Sequence, residues 1–241
     1  MENPIFIGLS RQVALRAQMD LIANNIANMS TPGYRAQNMV FTEYLSDPKG
    51  QKDPLSFVLD YGHFQDTSAG SMSYTNNPLD VGLEGPGFMG IQGMNEETAF
   101  TRAGAFQMTV NGELVTSRGN FVMDEGGNPI TIPEDAREIR ITEDGTIASE
   151  QGEIAKIMIR EFDNLQNMEA RGDGLYYTAE EGNEPVETRA IQGMIEGANV
   201  KPVLEVTRMI EVSRAYQSTQ NMLRNEHERQ RTMIQRLSSD Q

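Results

Sequence analysis

The stretch A-N-N-I-A-N-M-S-T-P-G-Y, residues Ala23–Tyr34, lies between a helix-patterned N-terminus and a long irregular segment. Its Pro32-Gly33 pair predicts the end of the helix, because proline cannot continue a helix and glycine accepts the left-handed backbone that ends many helices. Three amide side chains, Asn24, Asn25 and Asn28, precede this stop. Two roles are open for them: capping of helix carbonyls within one subunit, or hydrogen bonds across subunits.

Upstream of the stop, apolar side chains recur every three or four residues, which is the period of one helix face. Those that form the narrowest line are Leu15, Met19, Ile22, Ile26 and Met29. A line this narrow is typical of the seam of a coiled coil. The sequence therefore predicts an N-terminal assembly helix within residues 1–33.

A second helical pattern begins at Pro202, a residue well suited to the first turn of a helix, and runs to about Ser238. At 1.5 Å per residue, such a helix is roughly 50 Å long. The positions three and four apart along it are Val206, Met209, Ser213, Tyr216, Gln220, Leu223, His227, Gln230, Ile234 and Leu237. This line is polar in its middle, which fits a dry core poorly. We therefore predict a C-terminal assembly helix within residues 191–241 that packs against similar helices.

Between the helical patterns, the chain is predicted to be rich in β-structure. Residues 34–75 hold short extended pieces, Met39–Leu45 and Ser56–Tyr61, and are expected to form an irregular connector. Residues 76–190 alternate short apolar strands with glycine-rich turns, which is typical of a sandwich or an irregular barrel. Asn111-Gly112 predicts a hairpin with a two-residue type I′ turn. The predicted fold class is α+β: a β-rich middle domain, and terminal helices that form a coiled-coil-like assembly layer.

The 241-residue chain has a formal net charge of −15, and this charge is unevenly distributed. Residues 1–33 and 201–241 together hold nine basic and seven acidic residues, which leaves 11 basic and 28 acidic residues in the middle. An acidic balance opposes binding to nucleic acids and to anionic membranes, so neither partner is expected. Cysteine is absent, which excludes disulfides and thiolate sites. Neither a membrane-spanning apolar run nor a cleavable signal peptide is evident.

None of the patterns associated with catalysis or cofactor binding is satisfied. Residues 85–90 have the spacing G-x-G-x-x-G, but a strand is predicted to follow where a dinucleotide site needs a helix. Within residues 139–151, Gln151 stands where an EF-hand loop needs its closing glutamate, so a hairpin turn is expected instead. His63 and His227 lack partners at motif spacing. We expect no catalytic residue, no cofactor and no metal, and an enzyme is not predicted.

Several segments together resemble the family of bacterial flagellar rod and hook proteins. Ala23–Asn28 followed by Thr31–Tyr34 is similar to the N-terminal signature of that family, and Glu196–Val200 with Arg214–Tyr216 is similar to its C-terminal part. The middle matches, in the order of the family, at Leu79–Leu83, Gly87-Phe88, Phe100–Phe106 and Gly112–Thr116. The length and the opening residues resemble the proximal-rod subunits most, and distal-rod or hook subunits are the alternative within the family.

The resemblance implies a structural subunit of the basal-body rod, whose terminal helices polymerise into a torque-transmitting hollow shaft needed for motility. The implied partners are further copies of the chain, other rod subunits and the flagellar type III export apparatus. The implied location is the periplasm-spanning rod, reached without cleavage of a signal peptide. With this resemblance, we favour amide hydrogen bonds across subunits.

The assembly interface is then expected to comprise Leu15, Met19, Ile22, Asn24, Asn25, Ile26, Asn28, Met29, Asn199, Val206, Met209, Ile210, Arg214, Tyr216, Leu223, Ile234 and Leu237. The alternative from another class is a periplasmic β-domain enzyme or a carbohydrate-binding module. The absence of tryptophan is unfavourable for sugar binding, because sugars stack on exposed aromatic rings.

Overall fold

The computed structural model describes residues 3–46, 55–93, 97–171 and 174–239, and the chain divides into two compact units. The first, termed the helical unit, comprises Met1–Ala27, Gln37–Phe64 and Lys201–Gln241. The second, termed the β unit, comprises Asn28–Ala36 and Gln65–Val200. The predicted α+β fold, in which terminal helices flank a β-rich middle, is confirmed.

The helical unit is built from two helices and a pair of strands. Helix α1 spans Asn3–Ala27, strands β1 (Gln37–Ser46) and β2 (Leu55–Gln65) pair with each other, and helix α2 spans Pro202–Ser239. The opening stretch does hold the end of α1, but the helix ends at Ala27, earlier than the Pro32-Gly33 pair predicts, and Gly33 has the expected left-handed backbone, with a φ of +67°.

Two segments of the expected irregular connector are regular strands. The extended pieces predicted there lie within β1 and β2, which are ten and eleven residues long. Both strands are rich in β-branched and aromatic residues, which favour extended structure, and the prolines of this segment lie outside them. The prolines therefore separate two strands and do not mark an irregular segment.

The β unit contains the remaining described strands, all short. They are β3 (Met72–Tyr74), β4 (Val81–Glu84), β5 (Phe88–Gln92), β6 (Thr98–Thr101), β7 (Phe106–Met108), β8 (Leu114–Thr116), β9 (Arg140–Ile141), β10 (Thr146–Ser149), β11 (Gly152–Lys156), β12 (Ile159–Arg160), β13 (Glu169–Ala170), β14 (Tyr176–Tyr177), β15 (Arg189–Gln192) and β16 (Met194–Glu196). Strand β16 and the last two residues of β15 fall inside residues 191–241, the segment expected to hold the C-terminal helix, which begins only at Pro202.

The strands form several small sheets. The largest has the order β12-β5-β6-β14-β13, β11-β10-β9 form a second, and the pairs β15-β4, β16-β3 and β7-β8 complete the unit. Each sheet keeps free edges, so the described strands do not close into a barrel. An aromatic cluster supports the largest sheet: Phe88, Phe100, Phe162 and Tyr176 are buried, and the rings of Phe100 and Phe162 meet edge to face with centroids 4.8 Å apart.

The predicted hairpin at Asn111-Gly112 is confirmed, but its predicted turn type is wrong. The Thr109 amide donates to the Glu113 carbonyl at 2.9 Å, which leaves a three-residue loop, Val110–Gly112. Gly112 has a φ of +81°, whereas Asn111 is not among the described residues with positive φ. The Thr109 hydroxyl accepts hydrogen bonds from the amides of Asn111 and Glu113, at 3.3 and 3.1 Å, and so stabilises the longer loop.

The two motif-like segments are turns, as predicted. Residues 85–87 connect β4 to β5, so the G-x-G-x-x-G spacing precedes a strand and not a helix. Ile141 of β9 pairs with Ile147 of β10, so the EF-hand-like segment is a hairpin.

Candidate assembly surface

Helices α1 and α2 form an antiparallel pair within the helical unit. The contacting residues are Gly8 with Leu223, Gln12 with Tyr216, and Asn25 with Glu205. The second contact is a hydrogen bond of 3.0 Å from the glutamine amide to the tyrosine hydroxyl, and the third is one of 3.3 Å from the asparagine amide to the carboxylate. Residue numbers rise along α1 as they fall along α2, so the two helices run in opposite directions.

The least exposed side of α2 repeats every seven residues. Its buried and half-buried positions, termed the α2 seam, are Glu205, Met209, Val212, Tyr216, Thr219, Leu223, Glu226 and Gln230. The steps alternate between four and three residues, which is the heptad spacing of a coiled coil. Half of these side chains are polar or charged, as the interrupted pattern in the sequence indicates.

The line predicted from sequence agrees with the α2 seam at Met209, Tyr216, Leu223 and Gln230. At Val206, Ser213, Gln220 and His227 it lies one residue beyond the seam: Val206, for example, is 46% exposed, whereas the neighbouring Glu205 is buried. Burial of Glu205 is possible because its carboxylate accepts hydrogen bonds from Asn25, at 3.3 Å, and from Arg208, at 2.7 Å. A hydropathy pattern cannot anticipate such partners.

Asn25 makes its hydrogen bonds within one chain. Its amide nitrogen donates to the Gln37 carbonyl at 2.9 Å, and its side-chain oxygen accepts from the Gln37 amide at 3.0 Å. With the bond to Glu205, these contacts join α1 to β1 and α2, so the favoured bond across subunits is not what holds this amide. Asn28 accepts from the Thr31 hydroxyl at 3.2 Å, and Asn24 is exposed. An assembly role of these amides stays a prediction.

The predicted interface residues of α1 lie mainly on its inner side. Ile22 is buried, and Leu15, Met19 and Ile26 are half-buried. Met29 follows the helix and is exposed. The α1 line therefore supports the helix pair first, and its predicted contribution to contacts between subunits remains a prediction.

Other apolar side chains lie on the outside of both helices. On α1 they are Phe6, Leu9 and Val13, termed the α1 stripe, and on α2 they are Val203, Val206 and Ile210, termed the α2 stripe. In both stripes the steps are three and four residues, so each stripe occupies one helix face. All six side chains are between 46% and 79% exposed. Contiguous exposed apolar surface of this kind is typical of protein–protein contacts.

Three further predicted residues lie on α2. Arg214 is exposed, and Ile234 is 67% exposed. Leu237 lies within α2, but its side chain is outside the described residues.

Asn199 has an internal role in the β unit. Its side-chain oxygen accepts from the Ala36 amide at 2.6 Å, and its amide nitrogen donates to the carbonyls of Asp66 and Ser68, each at 2.9 Å. One side chain thus joins three backbone segments of the unit. Its predicted place in an assembly interface is untested.

A buried cluster of charges lies in the same unit. The Glu196 carboxylate contacts Arg102, with which it forms a hydrogen bond, and Arg35, at 3.3 Å, and it also accepts from the Gly70 amide at 2.8 Å. The Arg102 guanidinium donates in addition to the carbonyls of Leu83, Gly85 and Gly87, at 2.6–2.8 Å. Burial lowers the pKa of Arg35 below its ordinary value, and the neighbouring Glu196 opposes this shift.

Sequence reasoning missed this cluster. Arg102 and Glu196 both occur in segments that carry the family resemblance, but they lie far apart in sequence. Arginine and glutamate are almost never fully buried unless they are paired, so neither residue carries a local signal of burial.

Gly33, in the opening stretch, packs against the backbone of Arg102, the residue that follows β6. A Cβ atom at position 33 would lie 2.4 Å from the carbonyl carbon of Arg102. The Gly33 amide donates to the Glu196 carbonyl at 2.8 Å. Both the positive φ of this residue and the close approach require glycine.

Within the described ranges, no group of His, Asp and Glu side chains is arranged to hold a metal ion. In the same ranges, no helix combines the length and the apolar character needed to cross a membrane.

Three family models match successive parts of the chain. The model described as flagella basal body rod protein matches residues 5–35, that of the flagellar hook protein FlgE/F/G D1 domain matches residues 82–149, and that of the flagellar basal body rod FlgEFG protein C-terminal matches residues 191–236. The chain is also 35% identical, over 242 residues, to the flagellar basal-body rod protein FlgF of Caulobacter vibrioides, with 98% of each chain covered. The chain belongs to the flagellar basal-body rod protein family.

Other members of the rod protein family are similar over nearly their whole length. The FlgF protein of Salmonella typhimurium is 31% identical, with 99% of each chain covered. The FlgG protein of Buchnera aphidicola subsp. Schizaphis graminum is 29% identical, with 93% of this chain and 94% of the relative covered. The family consists of structural proteins of the flagellar basal body, and the resemblance seen in the sequence motifs is confirmed.

Proposed function

We propose that this chain is a structural subunit of the proximal flagellar rod and that it polymerises through α1 and α2. The observation that carries the proposal is the exposed apolar surface of the α1 and α2 stripes on the part of the chain that is nearly neutral. Burial of apolar surface drives association, whereas like charges in the acidic middle oppose contact between copies. The helices therefore form the inner layer and the β unit faces outward.

The proposed partners are further copies of this chain and other rod subunits. Delivery is by the flagellar type III export apparatus, without signal cleavage. Nucleic acid and lipid are not among the partners, because the acidic middle would repel both phosphate backbones and anionic headgroups. The chain performs no catalysis, and its mechanical role is to transmit torque along a stiff shaft of packed helices.

The experiment that tests the proposal locates the chain in the flagellum. A tagged chain is expressed in a non-motile strain that lacks the native protein, and basal bodies are purified and imaged. We expect restored motility and tagged chain in the rod. Restored motility with the tag confined to the hook, or absence of the chain from purified basal bodies, would refute the proximal-rod assignment.

The export route has its own test. The mass of the chain recovered from basal bodies is compared with that of the chain in the cytoplasm. We expect equal masses, and a shorter N-terminus in the basal body would show that a signal is cleaved.

A further inference from the structure

Helix α2 extends beyond the end of α1. In the three contacting pairs of the helices, the two residue numbers add up to between 228 and 231, which places Asn3, the first described residue of α1, beside about residues 225–228 of α2. Residues 229–239 of α2 therefore continue past the described part of α1. We term this segment the overhang, and it is roughly 16 Å long at 1.5 Å per residue.

The overhang continues the heptad line of the α2 seam. After Gln230, the next seam position is Met233, which is 41% exposed, and its neighbour Ile234 is 67% exposed. Every side chain from Arg231 to Arg236 is exposed. A helical segment of this length is marginal in water on its own, so a second helix packed on the overhang would stabilise it.

The α2 stripe lies at the opposite end of the helix pair. Val206 and Ile210 are next to the level of the Asn25–Glu205 contact, whereas the overhang begins beyond the level of Asn3. Along α2, Ile210 and Met233 are separated by roughly 34 Å at 1.5 Å per residue. One straight helix cannot bring these two surfaces together, so they cannot cover each other within one copy.

The overhang is basic, whereas the end that carries the α2 stripe has exposed charges of both signs, including the basic Lys201 and Arg208. The overhang contains Arg229, Arg231 and Arg236 and no acidic residue. At the other end, the exposed side chains of Asp20 on α1 and Glu211 on α2 lie at the same level of the pair. Opposite charges beside an apolar contact orient the partners and suppress wrong pairings.

We propose that the overhang of one copy packs Met233 and Ile234 against the α2 stripe of a second copy. This inference rests on the proposed function and specifies which surfaces meet in the polymer. The contact continues the internal α1–α2 interface, because a second copy covers the heptad line where α1 ends. Since the two surfaces are different and lie at opposite ends, the contact is heterologous and leaves one end of each copy free for the next.

Disulfide cross-linking tests the proposal directly, because the natural chain contains no cysteine. Ile234→Cys and Ile210→Cys are introduced together into the full chain, in cells that lack the native protein, and purified basal bodies are oxidised mildly. We expect a ladder of linked multimers. The matched control combines Ile234→Cys with Met222→Cys, since Met222 and Ile210 are both 48% exposed but Met222 lies outside the α2 stripe, roughly 18 Å along α2 from Ile210 at 1.5 Å per residue. The control should remain monomeric.

Equal amounts of multimer from the test pair and the control pair, with the chain present in the basal bodies, would overturn the proposed contact. That result would leave the rod assignment standing. Absence of the unmodified chain from basal bodies would instead remove the proposed function itself.

A second experiment, in which opposite charges are placed on the two surfaces, tests the proposed contact even if the cysteine variants are not incorporated. Ile234→Asp should reduce incorporation into the rod by about tenfold or more, because it places a carboxylate in an apolar contact. Ile210→Lys added to this variant should restore part of the incorporation, and Met222→Lys should not. Equal restoration by both lysines, or none by Ile210→Lys, would overturn the inference.

Discussion

Arg102 and Glu196 form an ion pair that is almost completely buried, with side chains 0% and 1% exposed. Residues near the start of the β unit reach the same carboxylate, since Arg35 contacts it at 3.3 Å and the Gly70 amide donates to it at 2.8 Å. Three arginine and glutamate side chains thus hold together segments that are far apart in sequence. Such a cluster is a structural requirement of the unit, because a buried charge without its partner is strongly unfavourable.

Glu196→Gln should therefore lower the free energy of unfolding of the β unit by about 3–5 kcal/mol, since both arginines lose their counter-charge. The measurement is urea denaturation followed by tyrosine fluorescence. Glu138→Gln is the matched control, because its pair with Arg140 is exposed, with side chains 65% and 78% accessible. That substitution should cost less than about 1 kcal/mol. Equal losses would contradict the importance of burial.

Gly33→Ala should destabilise the β unit by more than about 1 kcal/mol, because alanine is strained at a positive φ and its Cβ would also meet the Arg102 backbone. Gly119→Ala isolates the first effect: Gly119 has a φ of +87°, and a Cβ there meets open space among the described residues. Thermal unfolding of both variants gives the comparison. A Gly119 variant as unstable as the Gly33 variant would show that the close approach is unimportant.

Asn25→Ala should weaken the helical unit by about 1–3 kcal/mol, since the Gln37 amide and the Glu205 carboxylate would lose a buried partner. Hydrogen exchange measures the effect, and we expect faster exchange of the Gln37 amide and of the amides of α1. The control is Asn24→Ala, at an exposed position of the same helix. If the two variants exchange alike, the buried amide does not hold the unit together.

The architecture of the chain could be predicted from sequence more completely than its contacts. The 3.6-residue period of α2 is long and uninterrupted by proline, so its predicted range to about Ser238 differs from the observed Ser239 by one residue. The line of Leu15, Met19 and Ile22 likewise predicts an inward face of α1. Helical periodicity is a local property of the sequence, so it can be recognised without knowing which residues the helix contacts.

What sequence reasoning missed depends on residues that lie far apart in the chain. Burial of Glu205 requires the amide of Asn25, and burial of Arg102 requires Glu196, so neither could be inferred from neighbouring residues. The predicted turn type between β7 and β8 is wrong for a different reason: the Thr109 hydroxyl stabilises a longer loop than Asn-Gly alone favours. For strands β1 and β2 the sequence predicts only short extended pieces, because the glycines and prolines of the segment are also typical of irregular loops.

Leu223→Asp should block assembly and motility while the β unit stays folded. Leu223 lies against Gly8 in the interface between the two helices, and a carboxylate there would be desolvated without a partner. Swimming in soft agar and the amount of rod in membrane fractions measure the effect. Asn225→Asp, at an exposed position two residues away, is the control and should swim normally. Normal rods in the Leu223 variant would refute the role of the seam.

The segment before β15 should loosen in acid through Glu161. Its Oε1 atom accepts hydrogen bonds from the amides of Val186, Glu187 and Thr188, at 2.8–3.1 Å, and from the Thr188 hydroxyl, at 2.7 Å. Partial burial alone would raise the pKa of Glu161, but these hydrogen bonds lower it below its ordinary value. The stabilisation is therefore complete above the ordinary glutamate pKa, about 4.3, and is lost as the pH falls through the lower pKa of the folded state.

Hydrogen exchange of the Glu187 and Thr188 amides, measured at each pH for the natural chain and for Glu161→Gln, checks this prediction. The exchange rates of these amides should differ most between the two proteins above pH 4.3 and should converge in more acidic solution, because the protonated acid and the amide are both neutral acceptors. A difference that stays constant over the whole pH range would exclude titration of Glu161 as the cause.

The polar side chains between α1 and α2 fix the dimensions of the subunit. A seam made only of leucine would let the helices slide by one heptad, roughly 10 Å, with little loss of apolar contact. Here such a slide would remove Asn25 from Glu205 and Gln12 from Tyr216, and would leave a carboxylate desolvated. The length by which α2 exceeds α1 is consequently the same in every copy. In a polymer built through the proposed contact, we expect these two hydrogen bonds inside each subunit to contribute to a uniform axial repeat.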